Sequence, residues 1–216
     1  MAAIVTLTKK LTAAVVNVIA ASQALAAAGN LALVSSPVVL DTQRRISILS
    51  SGDDSALVWT VYGTNDAGAA ISEQVAGGNA VAVVTLQDFA TVTQIAGNGA
   101  TAGTVQVGTN STGSTRWVLF DRQMKFPSVG IQLEFPDAAA TASIETTMDS
   151  PLAPLVIYAG GTPAPPVPTP VGWAGLTGQM ATAQGNINLP VAAWRLTVIA
   201  GTGTVIAKGV PQGISD

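Results

Sequence analysis

Cysteine and histidine are both missing from the 216 residues. Without cysteine there are no disulfides and no thiolate nucleophile, and without histidine the commonest metal ligand and general base is gone. Cysteine and histidine zinc sites, Ser-His-Asp triads and Cys-His dyads are thereby excluded. Charge is scarce too: 10% of residues are charged, against roughly 25% in an ordinary soluble domain. The nine basic residues are scattered and the formal net charge is -3, which argues against a nucleic-acid partner, whose phosphates are met by clustered Lys and Arg. No uninterrupted apolar run reaches the roughly 18 residues of a membrane span. Aromatics make up 5%, too few for an obvious stacking platform.

What remains is rich in Gly and Pro, with 22 and 12 residues. From Leu31 onward, short apolar-alternating runs (PVVLD, RRISILSS, VWTVYGTN, AISEQVAG, AVAVVTLQDF, TVTQIAG, TVQVGT) are separated by turn clusters such as Ser51-Gly-Asp-Asp54, Asn65-Asp-Ala-Gly68 and Gly97-Asn-Gly99. This spacing reads as antiparallel strands of a sandwich or barrel. Ile46 and Ile48 are expected on one face, as are Val58, Thr60 and Tyr62 or their alternates. After Asn110-Ser-Thr-Gly-Ser-Thr115 the pattern restarts with WVLFDR, SVGIQLEF, ATASIETTMD, PLVIYAG, AAWRLTVIAG and GTVIAKGVPQG. The expected fold is all-β: two antiparallel β-sandwich domains, jelly-roll-like or Ig-like, spanning residues 1–115 and 116–216, with an Ala-rich N-terminal arm over 1–30. Gly201-Thr-Gly-Thr204 reads as a hairpin turn, since it lacks the Lys and following helix of a phosphate loop. Five prolines within 162–170 favour polyproline II and a stiff surface loop.

Residues 9–30, KKLTAAVVNVIAASQALAAAGN, carry the order of an export signal: two lysines, an apolar stretch, then small residues with an A-x-A at Ala24 and Ala26. Thr12, Asn17, Ser22 and Gln23 interrupt it, so retention in the working fold is expected. The rival is an exported surface protein cut after about residue 26. Within this stretch, AVVNVIA (14–20) suggests a strand, and SQALAAA (22–28) a short helical turn or extended loop ending at Gly29-Asn30.

The remaining candidates for chemistry are few. Glu134 and Glu145 fall in expected strands and would make an acid pair of glycosidase type if they faced each other. Asp53, Asp54, Asn65 and Asp66 supply oxygen donors for calcium if their two loops meet, although no EF-hand loop is present and ordinary turn chemistry accounts for all four. Trp59, Trp117, Trp173 and Trp194 are isolated, as core or interface anchors are. Arg122 and Arg195, in apolar surroundings, suggest interface or buried ion-pair use, with Asp121 and Asp149 as candidate partners. No catalytic residue and no cofactor is expected.

Three segments carry a resemblance: RRISILSSGDDSALVWTVYGTNDAG with FATVTQIAGNGATAGTVQVGT, and PVAAWRLTVIAGTGTVIAKGVPQG near the end. Together they resemble small, cysteine-free structural proteins of tailed-bacteriophage virions, β-rich and assembled symmetrically on the head or at the head-to-tail joint. The resemblance covers most of 40–213 and leaves out residues 9–30 and 162–170. It implies a non-enzymatic virion component, made in the bacterial cytoplasm, homo-oligomeric and bound to major capsid, portal or connector subunits. The implied location is the capsid, as a decoration or minor capsid protein, with a collar, connector or fibre-base position as the alternative. A carbohydrate- or receptor-binding module is the rival of another class. The residues expected to touch partners are Val16, Val18, Leu25, Pro165, Pro166 and Trp173.

Overall fold

The computed structural model describes residues 4–120, 125–148, 171–172, 176–188 and 191–214. No α-helix occurs among them. The strands are β1 (Val5–Leu11), β2 (Ala20–Gln23), β3 (Gly29–Asn30), β4 (Val38–Arg44), β5 (Ile46–Ser50), β6 (Val58–Thr64), β7 (Ala70–Ala76), β8 (Ala82–Val84), β9 (Phe89–Gly97), β10 (Val105–Thr109), β11 (Gly113–Ser114), β12 (Val118–Leu119), β13 (Lys125–Glu134), β14 (Ala139–Thr147), β15 (Val171–Gly172), β16 (Ala183–Ile187) and β17 (Ala193–Ile214). The protein is all-β, built from several antiparallel sheets. Two compact units emerge. One is continuous over Ala13–Ser111, and the other joins the described residues up to Thr12 to those from Thr112 onward.

In the central unit a four-stranded sheet runs β2-β10-β5-β8, and a five-stranded sheet runs β3-β9-β6-β7 with β4 also on β9. Alternation puts one face of each sheet into a single apolar cluster. Ile46, Ile48, Val105 and Val107 come from the first sheet, and Trp59, Val61, Phe89, Val92 and Ile95 from the second. On β6 it is the alternates, Trp59 and Val61, that turn inward, while Tyr62 is exposed. Arg44 is buried with them and donates through Nε and Nη2 to the Asn110 carbonyl at 2.9 and 2.7 Å. Its Nη1 reaches Asp41 at 3.3 Å, so the charge is compensated where the chain leaves the unit.

The N-terminal segment departs from expectation. Its strands are β2 and β3, hydrogen-bonded within the unit to β10 and β9, and residues 14–19 form no strand. Of the two readings of 22–28, helical turn or extended loop, the extended one holds: no helix forms there, and the chain leaves β2 irregularly to reach β3. Ala is a strong helix former, but intrinsic propensity yields to tertiary context, here sheet partners more than 65 residues away.

The terminal unit is organised on β17, which runs 22 residues without turning back as a hairpin. On one edge, β14 pairs with its first half (Thr147↔Ala193 to Ala139↔Thr202) and β13 with its second (Glu134↔Ile206 to Lys125↔Ile214). On the other edge lie β12 and β11, then β1 from Leu11↔Gly203 to Val5↔Gly209. β15 adds to β14 and β16 to β13. The hairpin expected at Gly201–Thr204 is therefore corrected. Gly201 and Gly203, with φ of 90° and 99°, are left-handed positions that an L side chain rarely adopts, and here they bend one strand. The bend follows from packing: Trp194 and Gly209 would lie about 50 Å apart on a straight strand. Yet a Cβ on Gly209 would come within 2.5 Å of Trp194 Cζ2. β17 thus folds over one core holding Leu7, Leu11, Ile131, Leu133, Ile144, Trp194, Leu196 and Val198.

Asp137 holds the bend. Its Oδ1 accepts the Thr204 N–H at 2.7 Å and Oδ2 the Thr204 hydroxyl at 3.4 Å. These bonds hold its carboxyl below the ordinary value of 3.8. A depressed carboxylate contributes stability above its ordinary value and loses it as pH falls through the folded value. Wild type is accordingly expected to surpass Asp137→Asn in urea midpoint at neutral pH, and the gap to close below pH 3.8. Urea titrations at stepped pH check this.

Candidate functional site

The four calcium-candidate residues serve as turn and loop anchors. Asp54 is buried, accepting the Ser50 hydroxyl at 2.6 Å and the Ala102 N–H at 2.7 Å, while its own N–H donates to Gly78. It thereby ties three loops together. Asp53 is exposed, and its Oδ1 accepts both the Ser55 hydroxyl and N–H, which lower its pKa. Asn65 Oδ1 accepts from Ala67 and Ala69, closing the β6–β7 turn, and the Asp66 N–H donates to Gln43. Asp53 and Asp54 precede β6 whereas Asn65 and Asp66 follow it. Seven residues of strand, about 23 Å, separate the pairs, so the structure does not bring them together. Among the described residues no group of three acidic side chains could hold a metal ion.

Glu134 and Glu145 do not face each other either. Glu134 lies beside the second half of β17 and bonds Lys208 Nζ at 2.6 Å. Glu145 lies beside the first half, and its Oε2 takes Arg195 Nε and Nη2 at 2.8 Å and the Thr197 hydroxyl at 2.8 Å. The Arg195 guanidinium also sits over the Trp117 ring, 4.5 Å from its centroid. Arg195 is the buried ion-pair residue that its apolar surroundings suggest, and its partner is Glu145, directly opposite in register. Asp121, Arg122 and Asp149 lie outside the described residues. Trp59 and Trp194 are core anchors.

Sequence reasoning passed over Glu73 on β7. Its two carboxylate oxygens accept the Leu86 and Gln87 N–H groups at 2.7 and 2.8 Å, pinning the loop after β8. Burial pushes its pKa up, against the pull of those amides and of Arg45. The signal was faint: one acid inside an otherwise uncharged strand, AISEQVA.

Of the expected contact residues, Val16 and Val18 are exposed, 54% and 40%, on the stretch before β2. Val15 and Val34 join them as exposed apolar side chains. The backbone beneath is held: Val15 bonds Thr109, Ile19 N–H bonds the Val107 carbonyl, and Val34 N–H bonds the Ile19 carbonyl. Leu25 is different, packing partly buried against the central core. Pro165, Pro166, Trp173 and the rest of the 162–170 loop lie outside the described residues. A second surface feature is a depression of about 560 Å³ in the terminal unit, lined by Ile4, Gln132, Gln184, Asn186, Lys208 and Val210. Its lining mixes side-chain amides with small apolar contacts, and its one cation is paired with Glu134.

A comparison with protein-family models finds no match, and none of the curated proteins compared is similar to the chain.

Proposed function

We propose that the protein is a non-enzymatic structural component of a tailed-phage virion, a capsid decoration or minor capsid protein that binds neighbouring subunits. In this reading each unit is a β-sandwich. The observation that carries the non-enzymatic part is how the carboxylates are used. Asp41, Glu134 and Glu145 bind cations of their own unit, and Asp53, Asp54, Glu73 and Asp137 accept hydrogen bonds that hold turns and loops. In a chain without His or Cys these are the groups an enzyme would need free. The virion assignment rests on the three resembling segments. A collar, connector or fibre-base position is the alternative placement.

The contact surface in this reading is the valine strip of Val15, Val16, Val18 and Val34. Apolar side chains on an anchored backbone lose little conformational entropy on docking. A closed homo-oligomer repeats such a modest contact at every subunit. Native mass spectrometry of the full-length chain is expected to show a discrete ring or trimer. Val16→Glu with Val34→Glu is expected to shift it to monomer while leaving the thermal midpoint within a few degrees, since both side chains are exposed. A wild-type monomer that binds ligands on a glycan array would replace this reading with the carbohydrate- or receptor-binding module.

A further inference from the structure

The exposed turn that follows β9 carries Asn98 with Gly99 next to it. Two features of this turn bear on its chemistry. Asn98 Oδ1 accepts the Val58 N–H at 2.9 Å, and the Asn98 N–H donates to the Val58 carbonyl at 3.2 Å. Among the described residues nothing accepts a hydrogen bond from the Gly99 N–H.

We propose that Asn98 is a site of spontaneous backbone-assisted deamidation in the folded protein. The Gly99 nitrogen attacks Cγ of Asn98, forming the N–Cγ bond of a five-membered imide. The side-chain nitrogen leaves as ammonia, taking the Gly99 amide proton. Water then adds to one imide carbonyl and opens the ring, leaving either aspartate or the β-linked isoaspartyl residue. No oxidation or reduction occurs, and water is the only co-reactant. Glycine matters because it has no side chain to obstruct the approach of its own nitrogen. The Val58 N–H matters because it points at the oxygen that gains negative charge as Cγ becomes tetrahedral, the placement of an oxyanion donor.

The other asparagines are less favoured. Asn17, Asn30, Asn186 and Asn188 precede Val, Leu, Ile and Leu, whose branched side chains crowd the attacking nitrogen. Asn65 and Asn79 precede Asp and Ala, each carrying the Cβ that glycine lacks. Asn110 precedes Ser, but Arg44 grips its carbonyl. The two products differ in consequence. Aspartate keeps an acceptor for the Val58 N–H, whereas the isoaspartyl form adds a backbone atom next to Gly97, where Trp59 and Leu25 pack closely.

The test is to age the folded full-length chain in mildly alkaline buffer and map its peptides by mass spectrometry. Acid forms at position 98 are expected to accumulate ahead of those at every other asparagine. Gly99→Ala is expected to slow the conversion severalfold; its Cβ would meet only the Leu57 Cδ2, at 2.9 Å, a movable side-chain end. Asn98→Asp is expected to keep the wild-type thermal midpoint. Conversion at another asparagine first, or an unchanged rate in a folded Gly99→Ala, would overturn the proposal. Should Gly99→Ala fail to fold, the order of conversion in the wild-type chain decides alone.

Discussion

Glu145→Ala is expected to destabilise the terminal unit by about 3–5 kcal/mol, the usual cost of stranding one member of a buried ion pair. The Arg195 and Glu145 side chains retain only 11% and 15% exposure, so the pair is largely shielded from water. Thr197, 1% exposed, would lose its hydroxyl's acceptor in the same step. The Trp117 ring would remain near the charge, and a cation–π contact returns about 0.5–2 kcal/mol. The double replacement Arg195→Met with Glu145→Leu is expected to recover most of the loss, because it leaves no buried charge unpaired. Urea titrations of the single and double variants measure both effects. A Glu145→Ala loss under about 1 kcal/mol would mean the pair behaves as an exposed surface bridge.

Trp194→Ala is expected to cost about 3–5 kcal/mol through lost burial and the cavity left behind. Its ring is 2% exposed and lies against Gly209, so Gly209→Val should be destabilising as well, by overpacking. The pairing of the two carries more information than either alone. Combined with Trp194→Ala, the Gly209→Val side chain enters the vacated space, and the double variant is expected to be clearly less damaged than the sum of the singles. Coupling of this kind arises between residues in contact and fades beyond about 7–10 Å. On a straight β17 the two positions would be far outside that range, so strict additivity would contradict a strand bent at Gly201 and Gly203.

How much of this was legible depends on whether the information is local. Strands of the central unit could be read from alternation, because burial on one face imposes a period of two on Ile46 and Ile48 or Trp59 and Val61 regardless of partner. Register and partnership depend on distant residues. Nothing within residues 5–11 announces that they pair with 203–209, nor within 20–23 that they pair with β10. The units therefore divide differently from the expected 1–115 and 116–216, since β1 joins the terminal unit. Gly201-x-Gly203 misled for a related reason. Positive φ serves a hairpin turn and a strand bend alike, and the flanking partners decide between them. The candidate site divides in the same way. Burial of Arg195 was readable from its apolar neighbours, but Glu145 as its partner was not, because opposition across two strands appears only once register is known.

The central claim, that this chain is built into a phage particle, is tested most directly by peptide mass spectrometry on tailed particles purified from cells that carry and express its gene. The account predicts that the chain bands with the particles through a density gradient, in a fixed ratio to the major capsid protein. Its presence in the cells but absence from the particle band would contradict the claim.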